Sequence, residues 1–277
     1  MSAPSRRRLT GAPVFSRRHI VETAERLSRQ YALLVEPELA LMAVSFDAVY
    51  EQVIYPDFGI VLVEDEDLGF DDEGKKILGQ YDPWENTAFI DMSLQPTTRD
   101  PRRTFTCWHE VGGHGILQGD WLRQQLGRNR DDARVVTTED SIDFATTIAL
   151  ERQANLFASY AGAPTWFLNH AIRETYRGTR PIRYIGPRKY CLDVRGHCQQ
   201  YDVEDFNDLC RVIALNIQWK FGGMSIEALS YRIESSPFVV DVTRPSFRLQ
   251  RTAKTKGPRF PQTTARGMAM AVARAAS

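Results

Sequence analysis

Apolar residues recur with helical spacing along much of the chain. Between Arg17 and Gln30 they repeat at steps of one, three and four residues, with charged residues between them, which is typical of an amphipathic helix. The same periodicity, with Pro101 as a first-turn residue and Ser225 as an N-cap, predicts further helices. These cover Pro37–Glu51, Pro101–Leu117, Ser141–Ala161, Thr165–Tyr176, Glu204–Phe221 and Ser225–Ile233.

Extended segments are fewer and lie together in the first half of the chain. They cover Gly59–Val63, Lys76–Tyr81 and Thr87–Met92, separated by the acidic segment Glu64–Gly74 and by a turn signal at Asp82-Pro83. Short strands joined in sequence predict a small antiparallel sheet. A small sheet among many helices predicts an α+β fold with a helical C-terminal part.

Composition sets the class of protein. The 277 residues include 43% hydrophobic and 25% charged residues, which predicts one main domain, placed at residues 15–243 with an insertion near 181–202. Formal net charge is +0, so no global field attracts nucleic acid or a membrane. No apolar run approaches the roughly 20 residues that span a bilayer, and no secretory signal is visible, so we expect a cytoplasmic protein.

The C-terminal residues differ from the rest. Residues 244–277 hold eight Lys or Arg and no acidic residue, which predicts a flexible basic tail and confines any contact with nucleic acid to it. The four cysteines are too few and too unevenly spread for a disulfide scaffold, so we expect free thiols. Cys191, His197, Cys198 and Cys210 match no common zinc ribbon, and incidental or structural roles are favoured for them.

A candidate catalytic motif lies in the predicted helix that begins at Pro101. His109 and His114 flank Glu110 within the run His-Glu-Val-Gly-Gly-His. Two imidazoles on one helix face can hold Zn²⁺, and a glutamate beside the first can accept a proton from the activated water. Catalytic zinc needs three protein ligands, and Glu151 on the downstream helix is the natural third. Taken alone, Glu151 would be an exposed helix carboxylate.

The two histidines are five residues apart, which a regular helix does not tolerate at a shared metal. A five-residue step leaves them about 140° apart around a regular α-helix. In a π-type turn of about 4.4 residues the same step returns the second imidazole to within about 50° of the first. We therefore predict a π-type bulge or local unwinding near Gly112-Gly113, where residues without Cβ also admit the tight approach of the next helix. Both imidazoles should then face Glu151.

These motifs resemble those of the ImmA/IrrE-type metallopeptidases. Phe105-Thr106 with His109-Glu110 is similar to the Arg-Phe-Thr-x-Ala-His-Glu-x-x-His helix of that family. Glu151, Ala154-Asn155 and Phe157-Ala158 are similar to its Glu-x-x-Ala-Asn-x-Phe-Ala segment. The His-Glu-x-x-x-His spacing itself is similar to that of the dipeptidyl peptidase III family.

The ImmA/IrrE resemblance implies a zincin-like metallopeptidase domain and a hydrolase. Zinc would be held by His109, His114 and Glu151, with Glu110 as the general base. The implied activity is limited proteolysis of a protein partner, typically a helix-turn-helix transcriptional repressor.

Two other classes of function remain open. A catalytically inactive relative could act as a regulatory or protein-binding module, and the extra residue in the motif favours that alternative. A nucleic-acid function could instead use Arg244–Arg274 as an electrostatic arm. Tyr160 and His197 are the candidates for stabilising an oxyanion.

Overall fold

The computed structural model describes residues 13–35, 44–71, 73–96, 100–126, 144–177 and 180–244. The elements below belong to the compact unit that ends at Asp241. Of the predicted basic tail, residues 245–277 lie outside the described part, so the tail stays a prediction. Within the described residues, no helix has the length and apolar character needed to cross a membrane.

The N-terminal half begins with helices. Ser16 caps α1 (Arg17–Leu34) by accepting a hydrogen bond from the backbone N–H of His19, and α1 buries the apolar face that the sequence predicted. In the region of the second predicted helix, Ser45 caps a helical segment that runs past the predicted end at Glu51, and Gly59 ends it in a left-handed conformation. It consists of α2 (Phe46–Val49), a π-helical segment π1 (Tyr50–Ile54) and α3 (Tyr55–Phe58). Of the predicted range, residues 37–43 are outside the described part.

The sheet has three strands, β1 (Val61–Glu66), β2 (Gly79–Asp82) and β3 (Thr87–Asp91), in the order β1-β3-β2. β2 and β3 form the expected antiparallel hairpin, but β1 pairs with β3 in parallel, so the prediction of an antiparallel sheet is wrong for β1. A tight turn can join only adjacent strands. The segment between β1 and β2 is long enough to cross β3, a distance of roughly 10 Å, and to place them on opposite edges.

Helices then dominate, as predicted, and the α+β class is confirmed. After the short 3₁₀ turn Met92–Leu94 come α4 (Pro101–Cys107), capped by Asp100, and a second π-helical segment, π2 (Trp108–Leu117). The helices that follow are α5 (Gly119–Leu126), α6 (Phe144–Gly162), α7 (Thr165–Thr175), α8 (Phe206–Ile217), a 3₁₀ turn (Gln218–Lys220) and α9 (Ile226–Glu234).

The predicted helical C-terminal part also contains strands. The region of the predicted insertion forms β4 (Ile182–Tyr184), β5 (Arg188–Val194) and β6 (His197–Val203), and β4 pairs in parallel with β7 (Val239–Asp241). β5 and β6 form an antiparallel hairpin in which Cys191 and Cys198 are joined by a disulfide. The expectation of free thiols is therefore wrong for this pair, because the hairpin register brings their Cα atoms to 5.9 Å. Cys107 and Cys210 are buried and take no part in this disulfide.

Candidate metal centre

The two histidines of the motif meet on π2. Their Nε2 atoms lie 3.0 Å apart although the residues are five apart in sequence. The predicted π-type distortion is confirmed, and it is longer than a single bulge, since the whole of Trp108–Leu117 is π-helical. With more residues per turn than an α-helix, this segment places the second imidazole over the first.

Glycines allow α6 to lie directly against π2. A Cβ added at Gly113 would stand 2.5 Å from both Cα and Cβ of Ala154. One added at Gly112 would stand 2.2 Å from the Phe157 ring. Real Cβ atoms do not tolerate such distances, so the predicted tight approach of the next helix at Gly112-Gly113 is confirmed. The same approach brings Glu151, on α6, to the histidines.

The Glu151 carboxylate completes a triangle of donor atoms. Its oxygens lie 3.2 Å from His109 Nε2 and 3.4 Å from His114 Nε2. The first contact is made by Oε2 and the second by Oε1. Ligand atoms about 2.0–2.1 Å from a tetrahedral zinc stand roughly 3.3 Å from one another, and each of the three separations is close to that value. The donor set, two imidazoles and one carboxylate, also fits zinc chemistry.

Hydrogen bonds on the far side of each ring determine which nitrogen carries the proton. His114 Nδ1 lies 2.9 Å from Gln118 Oε1, and His109 Nδ1 lies 3.2 Å from Asn155 Oδ1. Gln118 is fully buried, and its Nε2 donates to the carbonyl of Leu150 at 2.9 Å, which fixes the orientation of its amide. Because an amide oxygen only accepts, each Nδ1 is the donor in these contacts, and Nε2 is the ring atom that faces the other imidazole and Glu151. A bound cation would take the place of any proton between the two Nε2 atoms and the carboxylate.

The electrostatics of the site favour positive charge. Burial lowers the pKa of His114, but the Glu151 and Glu110 carboxylates outweigh it and raise that pKa to about 9. Burial raises the pKa of Glu151, but hydrogen bonds and attraction from both histidines hold it well below its usual range. Glu151 is thus a carboxylate at neutral pH.

Glu110 lies beside this triangle without closing it. Its Oε1 is 4.0 Å from His109 Nε2, and burial raises the pKa of the carboxyl despite the opposing histidines. His109, Glu110 and His114 also offer possible ligand atoms that all lie within 4.8 Å of one another. Glu151 makes the shorter contacts with the imidazoles, so it suits the ligand position and leaves Glu110 as the neighbouring base.

Gln118, Asn155 and Gly79 are site residues to which the sequence analysis gave no role. A Cβ at Gly79, on β2, would stand 2.7 Å from Glu110 Cγ and 2.9 Å from its Oε1, so the glycine makes room for this carboxylate. A signal for Gln118 was available, because it lies one α-helical turn after His114. Gly79 carried none, since its contact depends on how the sheet packs against π2.

The two oxyanion candidates are not brought to the centre by any described contact. Tyr160 follows Glu151 by nine residues on α6, a rise of about 13 Å. Its hydroxyl accepts a hydrogen bond from Arg17, and the Arg232 guanidinium covers its ring. His197 lies at the turn of the β5–β6 hairpin, and the disulfide occupies the cysteines beside it.

Comparisons of the chain with protein-family models, with curated proteins and with solved structures give no match. The candidate metal centre therefore rests on its own geometry.

Proposed function

We propose that the protein is a zinc-dependent peptidase in which His109, His114 and Glu151 hold the metal and Glu110 is the general base. The observation that carries the proposal is the convergence of two imidazole Nε2 atoms and one carboxylate beside a second, buried carboxylate. Three protein ligands with a neighbouring base are the composition of a catalytic zinc site, whereas structural zinc sites have four protein ligands.

Zinc bound to these residues would act as a Lewis acid, lowering the pKa of water and polarising a peptide carbonyl. Glu110 would accept a proton from the attacking water and return it to the leaving amine. Both transfers suit a carboxyl whose pKa is raised by burial. Gly79, by leaving the space beside Glu110 open to its carboxylate, would set where that proton is received.

The family resemblance extends the proposal to a zincin-like fold and to limited proteolysis of a helix-turn-helix repressor in the cytoplasm. This extension rests on the motifs around His109 and Glu151. Function is determined by a site more than by a fold, so the substrate class is the part most in need of direct testing.

The test pairs Glu110→Gln with Glu51→Gln, the same change at an exposed glutamate of π1. Protein expressed with ample zinc is weighed by native mass spectrometry and incubated with a peptide library, in which new termini report cleavage. We expect one zinc in the wild type and in both variants. Cleavage should fall by about 100-fold or more in Glu110→Gln alone, because an amide cannot accept the proton.

The possible failures are distinguishable. Wild-type protein without a transition metal would reject the metal centre. Cleavage by Glu110→Gln at the wild-type rate would reject Glu110 as the base. One zinc per chain, with neither the peptides nor a co-expressed repressor cleaved, would favour a catalytically inactive relative that acts as a binding module.

A further inference from the structure

A basic surface lies away from the metal centre motifs, on the segment that includes β4 and β5. Residues 177–195 contain six Lys or Arg and a single acidic residue, in a chain whose formal net charge is +0. All six cations are exposed. We call this the basic surface; it comprises Arg177, Arg180, Arg183, Arg188, Lys189 and Arg195. The neutral total conceals this local concentration of charge.

None of the six cations forms a salt bridge within the described residues, although Asp202 stands opposite Lys189 in the hairpin and Arg195 lies close enough to Glu174 to lower its pKa. Arg103 shows the contrast, since its guanidinium is paired with both Glu64 and Asp47. Paired arginines stabilise the protein, whereas like charges held close together without partners repel one another. Such a cluster is suited to an anionic ligand.

The basic surface is concave. A groove of about 420 Å³ is lined by four cations, Arg180, Arg183, Arg188 and Lys189, and by one carboxylate, Asp193, together with Tyr176 and Tyr190. A concave, cationic wall concentrates field lines and attracts a polyanion more strongly than the same charges on a flat face. Its arginines can form bidentate hydrogen bonds with phosphate oxygens.

An exposed aromatic ring stands beside the last cation of this surface. Trp219 is 56% exposed, and the Arg195 guanidinium and the Lys220 ammonium lie 4.8 Å and 4.7 Å from its ring centroid. Arg195 follows the groove residue Asp193 by two positions, and its backbone N–H donates to the carbonyl of Thr175, the residue before Tyr176 of the groove. A large exposed aromatic ring among cations suits stacking of an unpaired base. An acidic peptide would use the cations but would have no need of the ring.

We propose that the basic surface and Trp219 bind single-stranded nucleic acid, with the cations on phosphates and the indole stacked on a base. The proposal is independent of the metal centre. It moves the expected nucleic-acid contact from the tail to the folded part of the chain. The six cations are spread over two strands and the loops around them, so no continuous run of charge in the sequence marks the basic surface.

The test measures the fluorescence anisotropy of a labelled 20-nucleotide single-stranded DNA, titrated with the full chain at several salt concentrations. Arg183→Glu/Arg188→Glu is compared with Arg18→Glu/Arg26→Glu, which makes the same charge change at exposed residues of α1. The tail is intact in both. We expect the groove variant to bind at least about tenfold more weakly, with a salt slope smaller by roughly 1.4, because each phosphate contact contributes about 0.7.

The indole is tested separately. Trp219→Ala should weaken binding of the same DNA by about fivefold or more, because each stacked base contributes about 1–3 kcal/mol. The salt slope should be unchanged, because no phosphate contact is lost. Circular dichroism checks the folding of each variant. If Arg183→Glu/Arg188→Glu misfolds, Arg183→Gln/Arg188→Gln is measured in its place.

Three outcomes would overturn the proposal. The groove variant could bind DNA as the α1 variant does, which would assign the affinity to the tail or to charge in general. Trp219→Ala could bind as the wild type does, which would show that no nucleic-acid base stacks on the indole. A polyglutamate peptide of 20 residues could bind as tightly as the DNA and lose affinity equally in the groove variant, which would identify an acidic protein partner instead.

Discussion

The described residues contain two π-helical segments, and only one of them holds the candidate metal ligands. π1 (Tyr50–Ile54) holds no glycine and no histidine; it buries Val53 and Ile54, and its Glu51 and Gln52 side chains are exposed. π2 (Trp108–Leu117) holds three glycines and both histidines. Each segment changes the angular spacing of side chains in the same way. A π-helix is therefore not a functional site in itself; it becomes one where the changed spacing brings donor groups together.

The residues that contact π2 and π1 also differ: those around π2 serve the candidate metal centre, and those around π1 do not. In π2 the glycines admit α6, which supplies Glu151 and Asn155 to the histidines. In π1 the Tyr50 hydroxyl donates to the carbonyl of Ile60 at 2.9 Å, a contact that holds the start of β1 in place. The comparison assigns a ligand-binding role to π2 and a structural role to π1, and each assignment can be broken by substitution.

The largest effect is expected from the third ligand. Glu151→Ala should lower zinc affinity by more than the roughly 10–100-fold that loss of a second-shell partner costs, because it leaves two protein ligands. Zinc affinity is measured by competition with a chromogenic chelator. Glu51→Ala in π1 is the matched control and should leave it unchanged. Equal affinity in the two variants would remove Glu151 from the site.

The next effect concerns the partner of His114. Gln118→Leu removes the acceptor for Nδ1–H and should lower zinc affinity by about 10–100-fold, whereas Gln118→Glu keeps an acceptor and should retain most of it. Comparing the two variants shows whether Gln118 positions the His114 ring or only packs against it, because leucine fills the space without accepting a hydrogen bond. If both variants bound zinc like the wild type, the tautomer of His114 would not depend on Gln118.

A smaller effect is expected at the contact between π2 and α6. Gly113→Val should reduce the free energy of unfolding by about 1–3 kcal/mol, since its side chain overlaps the Ala154 backbone, and it should weaken zinc binding although no ligand is removed. Denaturant titration measures the first effect and chelator competition the second. Gln52→Val, at an exposed residue of π1, should change the unfolding free energy by no more than about 0.5 kcal/mol. Unchanged zinc binding in Gly113→Val would contradict the coupling of helix approach to the site.

The smallest effect tests the structural role of π1. Tyr50→Phe removes the hydrogen bond to Ile60 and should lower the free energy of unfolding by about 1 kcal/mol, with zinc affinity unchanged. Denaturant titration measures the unfolding free energy, and chelator competition measures the zinc affinity. A loss of zinc affinity in this variant would show that the two π-helical segments are coupled, and that their separation into structural and functional segments is wrong.

Local sequence patterns predicted much of the candidate site. The five-residue step between His109 and His114 allows a common face only with a π-type distortion, and Gly112-Gly113 marked where the backbone could adopt it. Pro101 and Ser225 signalled helix starts because the first turn and the cap depend on a few adjacent residues. Predictions of this kind succeeded because the interactions that decide them lie within one or two turns of helix.

Long-range packing decided what those patterns could not. Nothing near β1 in sequence shows that it pairs in parallel with β3, and nothing near Cys191 shows the hairpin register that joins it to Cys198. Gly79 is important only because β2 lies against Glu110. The six cations of the basic surface form one surface only after β4 and β5 have folded together.

The sequence by itself determined the donor atoms, their order along the chain and the need for a distorted helix, because these follow from residue type and from the angle per residue. Only the tertiary structure decided which atoms converge. It placed Glu151 opposite the imidazoles, turned their Nδ1 atoms to Gln118 and Asn155, and buried Glu110. Those outcomes depend on how closely two helices pack, and that distance is set by contacts between residues far apart in the chain.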